Sequence, residues 1–132
     1  GFDELKPILD RTDILLINES ELRLLCNNDK DSLKDLAIGF LELGIGTVVV
    51  KQGAKGVFAM DNSTDCFVEA YKSDVVDTTG AGDSFNSGFL YSFLKGYDLE
   101  KSCKIGNWVA SKSIEGFGMD KFPSAKDLED VF

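Results

Sequence analysis

The most informative segment of the sequence is Asp77-Thr78-Thr79-Gly80-Ala81-Gly82-Asp83-Ser84-Phe85, where an extended segment is followed by a helix. Residues 72–79 show no helical period and are predicted to be extended, whereas apolar residues recur at helical spacing after Asp83. The small residues Gly80, Ala81 and Gly82 let backbone N–H groups turn inward together where that helix begins. A helix N-terminus carries roughly half a positive elementary charge, so this turn is a candidate anion site that requires no lysine.

Two common phosphate-binding motifs are excluded for this turn. No Gly-Lys-Ser/Thr sequence follows it, so it is not a Walker A loop, and Phe85 stands where the dinucleotide fingerprint has its third glycine. Asp83 adds a carboxylate in the first turn of the helix. Such a carboxylate can take a proton from a hydroxyl while fixed donors stabilise a transferring phosphoryl group. From the residues alone, the alternative is that Asp83 only caps the helix and the glycines only turn the chain.

Outward from this turn, strands alternate with helices. The predicted strands are 14–17, 47–51, 57–60 and 66–71. The predicted helices are the end of one at 3–10, a short one at 19–25, one capped by Asp31 or Ser32, one from Asp83 to the stop at Gly96, and a last long one capped by Asp98 that ends before Gly116. The alternation predicts an α/β fold with a mainly parallel sheet, helices on both faces and one antiparallel hairpin near residues 47–60.

The apolar pattern also predicts which side chains face the core. The all-apolar strand 14–17 is expected to be buried on both faces, as in parallel sheets. The inward helical residues are expected to be Leu22 and Leu25, then Leu33, Leu36, Ala37, Phe40 and Leu41, then Phe85, Phe89, Leu90, Phe93 and Leu94, and finally Ile105, Trp108, Val109 and Ile114.

Composition excludes several classes of function. The 132 residues suffice for one domain. A net charge of −9 makes the chain a poor candidate for sequence-independent nucleic-acid binding and for contact with an anionic membrane surface. There is no histidine, which excludes a Ser-His-Asp triad, a Cys-His pair and any imidazole-dependent zinc site. The three cysteines are far apart and lie among apolar residues, which indicates reduced core thiols and a cytoplasmic protein.

The nine-residue stretch resembles the C-terminal signature of the ribokinase-type carbohydrate kinases, the phosphofructokinase B family. The resemblance implies a three-layer α/β/α ribokinase-like fold, present here as a partial domain. It implies that Asp83 is the catalytic base for the sugar hydroxyl and that the amides of Gly80, Ala81 and Gly82 form the anion hole.

Weaker matches follow in the family order. Asn18-Glu19-Ser20-Glu21 resembles an N-x-x-E element in which Asn18 and Glu21 organise Mg²⁺ and the phosphates, although these residues alone would also suit a helix cap. The stretch from Lys51 to Gly56 resembles the turn beside the nucleotide, which implies nucleotide contacts by Lys51, Gly53 and Gly56, together with Gly82; alone it reads as an ordinary hairpin turn. The remaining implied roles are Asn107 beside the adenine, and Asp77 and Thr79 at a monovalent cation such as K⁺. Alone, Asn107 could equally be a surface or buried polar residue of its helix, and Asp77 a turn-stabilising carboxylate.

Family members are about twice as long, so the resemblance implies that residues 1–132 are the C-terminal half, carrying the nucleotide site and the catalytic base. The implied reaction is ATP-dependent phosphorylation of a sugar hydroxyl with Mg²⁺, and a nucleoside is the alternative acceptor. Homodimerisation of the full-length protein is a further expectation. Two rival interpretations stay open: a non-catalytic nucleotide-binding module, and a fragment with no activity of its own.

Overall fold

The computed structural model describes residues 2–132, and within them it contains six α-helices and four strands. The helices are α1 (Phe2–Leu9), α2 (Glu19–Cys26), α3 (Leu33–Glu42), α4 (Ala81–Leu94), α5 (Leu99–Ser113) and α6 (Ala125–Val131). The strands are β1 (Ile14–Asn18), β2 (Thr47–Lys51), β3 (Gly56–Asp61) and β4 (Asp65–Glu69), and a single 3-10 turn spans Gly53–Lys55. Each predicted strand is therefore present, within one or two residues of its expected ends.

The strands form one sheet in the order β1-β2-β3-β4. β1 pairs with β2 in parallel, whereas β2 and β3 form the predicted antiparallel hairpin. Val48, Val49 and Val50 of β2 are fully buried, but four of the five β1 residues are only half-buried. The expectation that β1 is buried on both faces is therefore wrong for the described residues, because β1 is an edge of their sheet and has a neighbour on one side only.

The chain divides into two compact units. The first comprises the residues up to Gly53 together with Val57–Phe67. Helices α2 and α3 contact β2 in this unit. The core that results contains Leu9, Ile17, Leu22, Leu36, Ala37, Phe40, Ile45, Val48 and Val50. The predicted cap is confirmed at Ser32, whose hydroxyl accepts the Asp35 amide at 3.1 Å.

The second unit comprises Ala54–Gly56 and Val68–Phe132, and the pair α4–α5 is its main feature. Phe85 and Phe89 of α4 are buried and stack with their centroids 6.0 Å apart. Leu94 was expected on the same face but is 79% exposed. Nine residues at about 100° each place Leu94 opposite Phe85, so the buried stripe continues through Ser92 instead.

The predicted cap of α5 is confirmed, since the Asp98 carboxylate accepts the Lys101 amide at 2.7 Å. A short helix that the sequence did not predict, α6, follows α5 and buries Leu128 against Ile105 and Val109. The sequence does carry a signal for α6: Ser124 and Asp127 form a capping box, the S/T-x-x-acid pattern.

Two further findings concern the composition. In the part of the chain that the structure describes, no helix is both long enough and apolar enough to cross a membrane. Cys103 is buried, Cys26 and Cys66 are half-buried, and no disulfide joins the three.

Candidate anion site and carboxylate of α4

The turn before α4 has the backbone geometry of an open helix N-terminus. Gly80 is the residue that precedes the helix and has a φ of +77°, a left-handed conformation that favours glycine. The helix begins at Ala81, two residues before the predicted start. Its first turn therefore holds Ala81, Gly82 and Asp83, and the Ser84 amide already donates to the Gly80 carbonyl at 2.9 Å.

The amides of this turn are largely left open. The Ala81 N–H donates to the Thr78 carbonyl at 3.2 Å, so one of the predicted anion-hole donors is used inside the turn. The N–H groups of Gly80, Gly82 and Asp83 have no acceptor among residues 2–132. By contrast, side-chain oxygens of Asn18, Ser32, Asp98 and Ser124 cap the helices α2, α3, α5 and α6. The start of α4 thus keeps unsatisfied donors that suit an anion.

The carboxylate of Asp83 is not used as a helix cap. No side chain caps α4, and Asp83 is exposed in its first turn without a hydrogen-bond or ion-pair partner among the described residues. This argues against the alternative in which Asp83 only caps the helix. The carboxylate and the open amides occupy the same helical turn, which is the arrangement needed to hold a phosphoryl group beside a proton acceptor.

Asp77 and Thr79 are joined to each other just before the turn. The Thr79 amide donates to Asp77 Oδ1 at 2.9 Å. Hydrogen bonds from the backbone and side chain of Thr79 lower the pKa of Asp77 below its ordinary value. The Ile114 carbonyl accepts the amides of Val76 and Asp77 at 2.7 and 3.2 Å, which fastens the segment to the end of α5. A turn-stabilising role for Asp77 is therefore visible, and its role at a monovalent cation stays a prediction.

The register of the parallel strands brings two predicted site elements together in the first unit. Asn18 is the register partner of Lys51, so the N-x-x-E element and the turn after β2 leave the sheet at the same edge. Ligands bind outside the carboxyl ends of the strands in open α/β sheets. Gly53 lies two residues after β2, at the start of the 3-10 turn, and has a φ of +57°.

Asn18 and Glu21 form a capping box on α2. Asn18 Oδ1 accepts the Glu21 amide at 2.8 Å, and the Asn18 amide donates to Glu21 Oε2 at 3.1 Å. The cap interpretation of this motif is therefore confirmed. The cap also fixes the Glu21 side chain, which is exposed, and its predicted role toward Mg²⁺ stays open. Within the described residues, no three acidic or thiol side chains cluster as a metal site.

Gly56 and Asn107 both contact the backbone at the end of β4 in the second unit. A β-carbon at Gly56, which has a φ of +125°, would lie 2.1 Å from the Val68 carbonyl oxygen, so only glycine allows this approach. The buried Asn107 donates its Nδ2 to the carbonyls of Val68 at 3.1 Å and Glu69 at 3.0 Å. Asn107 is thus the buried polar helix residue that was the alternative to an adenine contact, and Gly56 has a packing role that the sequence did not predict. The contacts of both residues to a nucleotide stay predictions.

Sequence reasoning also missed Glu19 and Gln52 at the edge where β1 and β2 end. Gln52 Nε2 donates to Glu19 Oε2 at 2.8 Å. Glu19 occupies the first unspecified position of the N-x-x-E element, so that motif assigns it no role. The available signal was the i,i+4 spacing of Glu19 and Arg23, which form an ion pair at 3.0 Å.

Comparison with known proteins gives a consistent result. Residues 2–125 match the pfkB family carbohydrate kinase. An uncharacterized sugar kinase of Archaeoglobus fulgidus is 41% identical over 118 residues, which are 89% of this chain and 46% of that protein. The nucleoside kinase of Methanocaldococcus jannaschii, described as an archaeal member of the ribokinase family, superposes with a TM-score of 0.85 at 30% identity, over 98% of this chain and 42% of that one.

A third relative is an E. coli protein assigned as Ribokinase II and solved in complex with ATP and Mg²⁺. Its TM-score is 0.85 at 29% identity, over 97% of this chain and 41% of that one. The chain thus spans less than half the length of each of these relatives. The predicted partial, ribokinase-like α/β fold is confirmed, and the chain belongs to the pfkB family of carbohydrate kinases.

Proposed function

We propose that the full-length protein transfers the γ-phosphoryl group of ATP to a sugar hydroxyl, and that residues 1–132 are the half that supplies the nucleotide site and the base. One observation carries the proposal. The first turn of α4 presents three N–H groups without acceptors among the described residues, and the uncommitted Asp83 carboxylate lies in that same turn. An anion-binding turn with a built-in proton acceptor fits phosphoryl transfer to an alcohol.

In the proposed reaction, Asp83 accepts the proton of the acceptor hydroxyl as its oxygen attacks the γ-phosphorus. The bond from that phosphorus to the bridging oxygen breaks, and ADP leaves with the bonding electrons. The amides of Gly80 and Gly82, and that of Asp83 itself, donate to the oxygens of the transferring group, where negative charge is spread in the transition state. Ala81 shapes the turn, and its own N–H is shared with Thr78.

ATP is the proposed phosphoryl donor and Mg²⁺ the proposed metal ion, because the E. coli relative was solved with both. Mg²⁺ is usually held by one or two carboxylates together with phosphate oxygens and water, so the donor set of this chain fits without a three-carboxylate cluster. Glu21, oriented by Asn18, is the candidate carboxylate, and bound Mg²⁺ would neutralise phosphate charge. Lys51 and Gly53 are the candidate nucleotide contacts of the same unit. Asp77 and Thr79 remain candidates for a K⁺ site.

A sugar is the proposed acceptor because the A. fulgidus relative, at 41% identity, is a sugar kinase. A nucleoside is the second candidate, favoured by the likeness to the M. jannaschii nucleoside kinase. A non-catalytic nucleotide-binding module is a weaker interpretation, because a module without chemistry has no need of the uncapped turn with its open carboxylate.

Residues 1–132 by themselves are expected to be inactive. Positioning of the acceptor contributes roughly 7–11 kcal/mol of barrier reduction in well-oriented reactions, and this chain spans only 46% of its sugar kinase relative. Purified residues 1–132 should release no sugar-dependent ADP above background in a coupled assay. Turnover at the rate of the full-length protein would show that the acceptor site lies within this chain.

The test of the proposed function uses the full-length protein. ADP release is measured with ATP, Mg²⁺ and a panel of fructose, ribose, 2-keto-3-deoxygluconate, adenosine and inosine, each also without acceptor. We expect acceptor-dependent ADP release with one class, and mass spectrometry of the product should show one added phosphate. Release with nucleosides alone would transfer the proposal to the second candidate. ATP binding without turnover of any acceptor would favour the non-catalytic module.

A further inference from the structure

Apart from the site elements described above, a chain of polar contacts links α2 to the end of β2. Glu19 opens α2, directly after β1, and Gln52 directly follows β2. Since Asn18 and Lys51 are register partners, Glu19 and Gln52 are the next residues of the two parallel strands beyond the sheet edge. Their side chains meet there, with 2.8 Å between Gln52 Nε2 and Glu19 Oε2.

The Glu19 carboxylate is oriented from its other side by Arg23. Arg23 donates its Nε to Glu19 Oε1 at 3.0 Å, and its Nη2 lies 3.0 Å from the same oxygen. Nη1 of Arg23 donates to the Asp31 carbonyl at 3.1 Å, which holds the guanidinium in place. Because the planar guanidinium is held between Glu19 and the Asp31 carbonyl, it restricts the orientation of the Glu19 carboxylate. The other carboxylate oxygen, Oε2 of Glu19, then faces Gln52.

The hydrogen bond between Gln52 and the Glu19 carboxylate is stronger than a hydrogen bond on a fully exposed surface. The side chains of Glu19 and Arg23 are 27% and 22% exposed, so solvent screens them less than the other i,i+4 pairs of the chain, for example Glu100 with Lys104 at 58% and 47%. Glu19 also lies in the first turn of α2, where the helix dipole favours a negative charge. A hydrogen bond to a charged acceptor in such a place is worth more than one between neutral groups.

We propose that Glu19 is a positioning residue that acts through Gln52. Its hydrogen bond with Gln52 fixes the junction between β2 and the following turn, where the proposed nucleotide contacts Lys51 and Gly53 lie. The inference rests on the proposed function, because it assigns this junction to the nucleotide side of the site. Gln52 lies between Lys51 and Gly53, so fixing its side chain limits the freedom of both neighbours. The nucleotide then binds a preformed edge, and less conformational entropy is lost on binding.

The test compares Glu19→Gln, Gln52→Leu and the double variant in the full-length protein. Glu100→Gln is the matched control, because it also removes a first-turn glutamate of an i,i+4 pair, but one on α5 whose ion-pair partner is Lys104. We expect each single variant to raise KM for ATP about three- to tenfold, with kcat at saturating ATP and KM for the acceptor within about twofold of wild type. The double variant should be no worse than the worse single one, since Glu19→Gln weakens and Gln52→Leu removes the same contact.

Two further measurements do not depend on turnover. The dissociation constant of a non-hydrolysable ATP analogue should rise by the same factor as KM. Amide hydrogen exchange of residues 51–53 should quicken in Glu19→Gln and not in Glu100→Gln. Quickened exchange with unchanged nucleotide affinity would overturn the positioning role, as would a fall in kcat with KM unchanged, or single effects that simply add.

The proposed function fails in a different way from this inference. A wild-type protein that binds the analogue but phosphorylates no acceptor overturns the kinase reaction and leaves the positioning role to be judged from the binding constants. A wild-type protein that does not bind the analogue overturns both.

Discussion

Gly88 of α4 lies so close to Gly106 of α5 that a β-carbon at position 88 would be 3.2 Å from the α-carbon of Gly106 and 2.7 Å from a methyl carbon of Val109. A β-carbon at position 106 would in turn lie 2.7 Å from the Phe85 ring. The helix that carries Asp83 is therefore held by a backbone-to-backbone approach that only small residues permit. The position of the open N-terminus depends on this packing.

We expect Gly88→Ala to destabilise the full-length protein by about 1–2 kcal/mol. Overpacking costs about 1–3 kcal/mol, and the better helix propensity of alanine offsets only about 0.5–1 of it. Urea unfolding measures the difference. Gly39→Ala is the matched control, since Gly39 is also helical but a β-carbon there meets no atom within 4 Å. That variant should gain stability, and equal behaviour of the two variants would contradict the close packing at Gly88.

Replacing Asn107 tests whether its main duty is structural. Asn107→Leu leaves the carbonyls of Val68 and Glu69 without their donor, and an unsatisfied buried polar group costs about 1–3 kcal/mol. We expect a loss of stability of that size in urea unfolding. The affinity for ATP is compared with that of Asn107→Gln, which keeps the amide. Unchanged stability together with weakened ATP binding would assign Asn107 to the nucleotide instead.

Asp83→Asn should separate catalysis from binding. The amide keeps the size of the side chain and removes the base, and general-base catalysis contributes about 10²–10⁴-fold. We expect kcat of the full-length protein to fall by that factor, while the dissociation constant for ATP changes little or improves as a negative charge is lost. Asp74→Asn, at an exposed residue nearby in sequence, serves as the control and should keep full activity. Loss of ATP binding with kcat intact would make Asp83 a ligand-organising residue.

Gly82→Val should weaken ATP binding without unfolding the protein. The positive φ of this turn belongs to Gly80, whereas Gly82 lies inside α4. The expected effect therefore comes from a branched side chain beside the open amides. Losing a hydrogen bond to a charged phosphate should weaken ATP affinity about ten- to a hundredfold, measured by calorimetry. Stability should stay near wild type, and unchanged affinity would refute the anion site.

Structural elements with local causes could be predicted from the sequence. The caps at Ser32 and Asp98, the stop at Gly96 and the strand 47–51 follow from residues within a few positions of each other, and each was found where predicted. The turn from Asp77 to Asp83 belongs to the same class, because small residues before an apolar helix already specify an open N-terminus. The exposure of Leu94 also follows from local geometry, since nine residues rotate a side chain to the face of the helix opposite Phe85.

Features that depend on residues distant in the chain could not be predicted from the sequence and became visible only in the folded protein. Gly56 is required because β4 passes over it, and Asn107 is buried because it holds carbonyls 38 and 39 residues away. Similarly, the contact of Glu19 with Gln52 exists because the parallel register sets the ends of β1 and β2 side by side. A local pattern reports what a residue prefers, whereas burial and long-range hydrogen bonds depend on which other segments pack against it, and that is a property of the folded chain alone.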